Sequence, residues 1–236
     1  MIQARFFISI ICLVLAGCDP TPDVATIDYY ASIDPQARGD VLKAQLHDLI
    51  DDHEPLNYRE LWDALAITDA DPDIPGHVVL FYTGWSRSVE LRGNDPSGWN
   101  REHVWSKSRG DFGTRQGAGT DLHAIRPTDV TVNTARGNKA FDIGGEPYVD
   151  GDGPTGCRSD ADSWEPRPEV RGDVARAIFY MVVRYEDFEL DLELTDDARA
   201  QSDKAPLHGV ASTLLLWHEQ DPPDDSERLR NDRVEA

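Results

Sequence analysis

Between Trp99 and Phe141 the sequence concentrates residue types that can move a proton and hold an anion. Glu102 and His103 are adjacent in Asn100-Arg101-Glu102-His103-Val104-Trp105, an alternating, strand-like run. A neutral imidazole at the end of a strand can take a proton from water near neutral pH. Arg126 closes a second apolar run, Leu122-His123-Ala124-Ile125-Arg126, where its guanidinium could clamp a phosphate oxygen through two parallel hydrogen bonds. Asn133, Arg136, Asn138 and Lys139 follow within Val132-Asn133-Thr134-Ala135-Arg136-Gly137-Asn138-Lys139. Each alone has an ordinary reading: His103 as a packed polar residue, His123 as structural, Trp99 and Trp105 as core, Asn133 as a helix residue.

The elements that must position these groups are short. Arg101 to Trp105 alternates as one strand. Gly110 to Thr120 holds four glycines and no apolar periodicity, so it reads as a flexible connector; it lacks P-loop spacing. Leu122 to Arg126 reads as a second strand that Pro127 ends. Thr128 is then a suitable N-cap, with Asp129 in the first turn of a helix. Asn133 falls near the second turn, facing back toward the strands. Successive strand side chains point to opposite faces. Glu102 and His103 can share one site only if the strand bends or they reach it through different atoms.

Elsewhere, Pro35 to Ile50 carries Val41, Leu42, Leu46, Leu49 and Ile50 at helical spacing, and Tyr58 to Leu65 forms a second helix with Leu61, Trp62 and Leu65 on one side. Asp69 to Gly76 is a solvated acidic loop, and Val78 to Tyr82 a short buried strand. Ile143 to Glu165, rich in Gly, Asp and Pro, reads as a long surface excursion. Asp173 caps a helix whose core stripe runs from Val174 to Tyr185. Val210 to His218 is the last clear helix, and Ser226 to Ala236 is a polar tail.

At the N-terminus, Arg5 and the apolar run Phe6 to Ala16 form a signal segment too short to span a bilayer. Leu15-Ala16-Gly17-Cys18 matches a bacterial lipobox. The expected organisation is a signal peptide over 1–17, a tether over 18–34 lipidated at Cys18, and one domain over 35–236. The address is then exported and membrane-anchored, facing periplasm or cell exterior. Cys12 leaves with the signal, so Cys157 remains as a single passive loop thiol with no disulfide partner.

The formal net charge is −21, against the basic surface expected of a phosphate binder. The distribution qualifies this. Arg92 to Lys139 holds eight Lys/Arg and five Asp/Glu, a net +3, which leaves −24 for the remainder. The one basic window coincides with the Glu-His region, and substrate binding there should be salt-sensitive.

Three motifs in this order resemble the endonuclease I family: Asn-Arg-Glu-His-Val-Trp, Asp-Leu-His followed by Arg-Pro, and Val-Asn-x-x-Arg-Gly-Asn-Lys. Similarity continues through Val79-Leu80-Phe81-Tyr82-Thr83-Gly84, through Gly172 to Met181, and through Trp217-His218-x-Gln220-Asp221-Pro222. The resemblance implies an α+β fold, mainly helical, around a small ββα-metal (His-Me finger) core with a short antiparallel sheet. It implies an endonuclease that leaves 5′-phosphates on DNA, with RNA as a further substrate; no base-reading pattern is evident, so cleavage should be sequence-tolerant, and the expected state is a monomer. Within the resemblance His103 is the general base, and Glu102 and Asn133 are the metal ligands. One carboxylate and one amide oxygen suit Mg²⁺, with Mn²⁺ or Ca²⁺ as alternatives. Arg126 would clamp the phosphate, Arg101, Arg136 and Lys139 would contact the backbone, and Asn138 would orient a ligand from behind. Departures are Ser106 for the usual Pro, Ala124 for a second His, and Trp85 where a basic residue is common. The competing readings are a non-catalytic surface lipoprotein that binds nucleic acid or cations, and a phosphodiesterase for small substrates.

Overall fold

The structure is a computed structural model that describes residues 29–186, 190–197 and 204–236. The expected signal peptide, Cys18 and most of the expected tether lie outside the described residues. Among the described residues there are six α-helices and ten short strands. No helix among the described residues is long and apolar enough to cross a membrane. The chain divides into two compact units, Met1–Glu54 with Val183–Glu186, and Pro55–Val182 with Asp187–Ala236.

In the first unit, helix α1 (Gly39–Ile50) buries Leu42, while Val41 is 61% exposed, so its core stripe is narrower than the pattern predicts. His47 Nδ1 lies 3.0 Å from the carbonyl of Val183, and Lys43 pairs with Glu186 at 3.0 Å.

The second unit carries every residue expected to act in catalysis, metal binding or phosphate binding. Helix α2 (Leu61–Thr68) places Leu61 and Leu65, one turn apart, in a core with Val78, Leu80, Trp99 and Ile125. Strands β1 (His77–Val79) and β2 (Ser86–Ser88) form an antiparallel pair. Strands β3 (Trp99–His103) and β4 (Ile125–Asp129) form another, with Glu102 opposite Arg126 and His103 opposite Ile125. Helix α3 (Val130–Arg136) follows β4 without a linker and packs on both strands.

The proline expectation is corrected here. Pro127 does not end the strand; it lies inside β4, opposite Arg101. The β3–β4 sheet has two strands, so the proline sits on an edge where no ladder donor is needed. Its carbonyl accepts from Phe81 N at 2.9 Å. The helix cap moves with the strand: Asp129, not Thr128, accepts from Thr131 N at 2.9 Å and Val132 N at 3.3 Å. Arg87 holds the other carboxylate oxygen at 3.0 Å.

Residues 143–165 are corrected too. They are no surface excursion but most of a sheet. Strands β5 (Ala140–Phe141), β6 (Glu146–Asp150), β7 (Gly153–Ser159) and β8 (Ser163–Glu165) pair in the order β5-β8-β7-β6. Trp164 is fully buried, and Cys157 is a buried residue of β7, not a loop thiol. Burial pushes that thiol up to about 11, with hydrogen bonding opposing, so it is un-ionised at neutral pH.

Helix α4 (Arg171–Arg184) starts two residues before Asp173, after a 3₁₀ turn at Pro168–Val170. Strands β9 (Glu193–Leu194) and β10 (Leu207–His208) pair in parallel, and helix α5 (Ala211–Gln220) follows. The polar tail is a helix, α6 (Asp225–Glu235), capped by Asp224. It is nearly all polar outside, yet Arg230 is buried and reaches Asp69, Leu122 O and Ile125 O at 2.8–3.0 Å. Arg233 adds contacts to Thr68 O at 3.3 Å and Ala70 O at 3.1 Å, so an amphipathic pattern misses a helix docked by its polar side chains. The α+β class therefore holds, with more sheet than the sequence pattern implies.

Candidate active site

A cleft of about 500 Å³ opens over β3 and α3, and Glu102, His103 and Asn133 all line it. The question raised by strand alternation is answered at the strand end. His103 is the last residue of β3, and it reaches the cleft wall rather than the opposite face.

His103 is 6% exposed, and its Nε2 lies 3.1 Å from the carbonyl oxygen of Gly119. A carbonyl can only accept, so Nε2 carries the proton and, in the neutral ring, Nδ1 is the free base. The Tyr58 ring stacks on the imidazole, with centroids 5.9 Å apart and planes 20° from parallel. Burial pushes the imidazole down to about 4, against the pull of the Gly119 carbonyl; Lys107, Arg101 and Arg136 add to the fall. The ring is therefore neutral across physiological pH, the form a base requires. The connector 110–120 is a fixed wall at this point. A Cβ on Gly119 would meet Arg115 O at 2.5 Å, so only glycine brings that carbonyl so close to its own chain.

Glu102 is 2% exposed. Its Oε1 accepts from the Tyr82 hydroxyl at 2.7 Å and faces Arg136 Nη1 at 3.2 Å. Burial raises this carboxyl above its ordinary range, and Arg136, Tyr82 and Lys107 draw it back part of the way. Asn133 gives its Nδ2–H to Asn100 Oδ1 at 2.7 Å. The donors left over are Glu102 Oε2 and Asn133 Oδ1, one carboxylate and one amide oxygen on one cleft. Such a set fits a hard divalent cation that keeps several waters, and not zinc. Among the described residues no group of three or more His, Cys, Asp or Glu is arranged to hold a metal.

The expected phosphate contacts are placed differently. Arg126 does not line the cleft. Its Nε lies 3.1 Å from Asp69, and its guanidinium stacks 4.2 Å from the centroid of Phe81. Lys139 is tied to Ser159 at 2.6 Å and is also outside it. Arg136 lines the cleft but is 1% exposed. It binds Ser106 Oγ at 2.6 Å and the carbonyls of Val104, Gly137 and His103 at 2.8–3.2 Å, besides Glu102. It organises the turn after β3 rather than meeting solvent. Arg101 lines the cleft with its guanidinium between Tyr58 and Trp62, 3.6 and 3.9 Å from their centroids. Asn138 also lines it, while its carbonyl accepts from Arg109 Nε at 3.0 Å.

Three residues with a part here were not singled out from sequence: Tyr82, Gly119 and Lys107. Lys107 lines the cleft, is exposed, and makes no ion pair among the described residues. Tyr82 lay within a motif that carried the resemblance, so its signal existed without a role attached. Nothing in a single sequence marks Gly119 among its neighbouring glycines.

Comparison with known proteins gives the class first. The extracellular ribonuclease of Bacillus subtilis (strain 168) is 52% identical over 224 residues, covering 94% of this chain and 76% of the relative. The extracellular ribonuclease of Bacillus amyloliquefaciens is 49% identical over 216 residues, covering 91% and 73%. The protein is a nuclease, an enzyme that hydrolyses nucleic acids, which sets aside the non-catalytic reading. The family model described as Endonuclease I matches residues 38–236, and the chain belongs to that family.

Proposed function

We propose that the protein is an exported nuclease that cleaves RNA and DNA by attack of water, with little regard to sequence, leaving 5′-phosphate and 3′-hydroxyl ends. The observation that carries this reading is the bond from His103 Nε2 to Gly119 O, which leaves Nδ1 as the unprotonated nitrogen of a residue lining the cleft. Nδ1 takes the proton from water as its oxygen bonds to phosphorus. The bond from phosphorus to the 3′ oxygen then breaks, that oxygen takes a proton from solvent, and the imidazolium returns its proton to solvent. Glu102 and Asn133 would hold a Mg²⁺-type ion, with Mn²⁺ or Ca²⁺ as substitutes. Such an ion supplies neutralisation of the charge that builds on the phosphate and leaving oxygens. Lys107 supplies a cation at the mouth for a neighbouring phosphate. Arg101 and Arg136 keep places in the cleft wall, and Arg126 and Lys139 hold scaffold.

RNA enters because both relatives are named as ribonucleases. DNA stays because a water nucleophile makes no use of the 2′-hydroxyl. Among the described residues His103 is the one histidine lining the cleft, whereas cyclising cleavage through the 2′-oxygen would ask for a second acid–base group. The test is cleavage of matched RNA and DNA oligonucleotides with Mg²⁺, with EDTA, and with His103→Ala, followed by end-group analysis. A 2′,3′-cyclic phosphate on the RNA product, or activity indifferent to both EDTA and His103→Ala, sinks the mechanism. We further propose a monomer anchored by lipid on Cys18, for which loss of membrane association in Cys18→Ala is the check.

A further inference from the structure

The motif Leu80-Phe81-Tyr82-Thr83-Gly84 has no place in the mechanism above, yet Tyr82 points its hydroxyl at the centre of it. Tyr82 is fully buried, and its Oη donates to Glu102 Oε1 at 2.7 Å. Arg136 faces the same oxygen at 3.2 Å. No hydrogen bond to Oε2 is seen among the described residues. One hydroxyl donor and one cation, from different elements, thus fix one oxygen of the carboxylate and leave the other for a ligand.

Tyr82 is itself held from three sides. Cys157 Sγ of β7 donates to its carbonyl at 3.2 Å. Its ring packs against Trp164 of β8, with centroids 5.7 Å apart. The preceding residue, Phe81, donates its N–H to Pro127 O of β4 at 2.9 Å and accepts from Arg167 at 3.3 Å. The four-stranded sheet therefore sets the position of the hydroxyl, and through it the position of Glu102. A buried hydroxyl needs some acceptor. Here the acceptor is the carboxylate of the cleft rather than a nearby backbone carbonyl.

We propose that Tyr82 is a positioning residue for cation binding, orienting the Glu102 carboxylate through Oε1 so that Oε2 is presented to a divalent ion in the cleft. This rests on the assignment of Glu102 as a metal ligand. Partners behind a metal ligand commonly change affinity about 10–100-fold when lost. The removal of one oxygen in Tyr82→Phe keeps the ring and its packing.

The test is Mn²⁺ binding to the full chain by calorimetry and by the electron paramagnetic resonance of free Mn²⁺, without substrate. Tyr82→Phe should bind about tenfold or more weakly, and its nuclease rate should return to within a few-fold of wild type at saturating Mn²⁺. Val174→Ala, a cavity in the buried face of α4, serves as a stability-matched control and should bind Mn²⁺ as wild type does. Equal affinity in Tyr82→Phe and wild type overturns the proposal and leaves the nuclease reading standing. Equal weakening in Val174→Ala overturns it too, by reducing the effect to lost stability. Absence of Mn²⁺ binding by wild type removes the metal assignment and the proposal with it.

Discussion

His103 and Gly119 are joined by a 3.1 Å contact between Nε2 and a main-chain carbonyl, and that contact decides which imidazole nitrogen is basic. His103→Ala should lower kcat by about 10²–10⁴-fold, the usual worth of a positioned general base. Gly119→Ala should act on the same step from a distance. Its Cβ would collide with Arg115 backbone at 2.5 Å and shift the carbonyl away from the ring. Steady-state kinetics should show the loss in kcat while substrate affinity stays close to wild type. A Gly119→Ala enzyme with unchanged kcat would mean the tautomer is held by something else.

Glu102 is paired in a buried place, so charge and shape can be separated by substitution. Glu102→Ala leaves Arg136 as an uncompensated buried cation and should cost about 3–5 kcal/mol of stability as well as activity. Glu102→Gln removes the same charge but keeps the volume and an oxygen for the Tyr82 hydroxyl, so it should cost less than Glu102→Ala yet still destabilise, while losing metal-dependent turnover. Urea denaturation beside an Mg²⁺-titrated assay is the readout; a Glu102→Gln protein as stable as wild type would contradict the account of the Arg136 pair.

Arg126 belongs to the scaffold, and Arg126→Ala should therefore unfold the protein more readily without a matching loss of kcat. Breaking a buried pair costs up to about 3–5 kcal/mol, less here because Arg230 also holds Asp69, at 2.9 Å. The pH dependence follows from Asp69. Burial pushes its carboxyl up, but Arg230 and Arg126, with the hydrogen bonds from Arg230 and Thr68, hold it below the usual carboxylate value. A depressed folded value means the contribution is whole above the unfolded value near 4 and is lost as pH falls through the folded one. Chemical denaturation between pH 6 and pH 2 in Asp69→Asn should show a shallower acid limb than wild type.

The buried imidazoles set a second acid limb at higher pH. His208 is fully buried, stacked on Phe141 with centroids 5.4 Å apart, and its Nδ1 accepts from Gly209 N at 2.9 Å. Burial pushes it well below the ordinary imidazole value, and Arg136 and Arg109 push further. His103 falls in the same direction. The unfolded chain takes up these protons near pH 6.5 and the folded chain does not. Stability is therefore whole above that value and declines as pH drops below it, by about 1.4 kcal/mol per pH unit for each proton withheld. Flat stability from pH 7 to pH 5 would contradict it.

Lys107 should account for much of the salt sensitivity. Lys107→Ala is expected to weaken substrate binding for all sequences alike. It should also reduce the slope of log affinity against log salt by about 0.7 for single strands and about 0.9 for duplex. KM measured from 50 to 200 mM NaCl is the readout; an unchanged slope would move the phosphate contact to another residue.

The sequence by itself determined the local part of this protein. Adjacent Glu102 and His103 on an alternating run, and Asn133 as the fourth residue of the next helix, are consequences of strand and helix period, and both were legible. So were α2 and α4, whose apolar residues recur on one face. The tail helix α6 was not, because it docks through Glu227, Arg230 and Arg233 rather than by an apolar stripe. Nor was the sheet over 140–165, whose short strands alternate too weakly to stand out from turns. What only the tertiary structure decided is how each charge is used. Arg126, Arg136 and Lys139 look alike on paper as phosphate ligands. Packing buries the first against Asp69 and the second against Glu102, and ties the third to Ser159. The same packing left Lys107 exposed in the cleft and set Tyr82 behind the carboxylate. A buried charge must find its partner across the chain, and period and propensity carry no information about partners so distant in sequence.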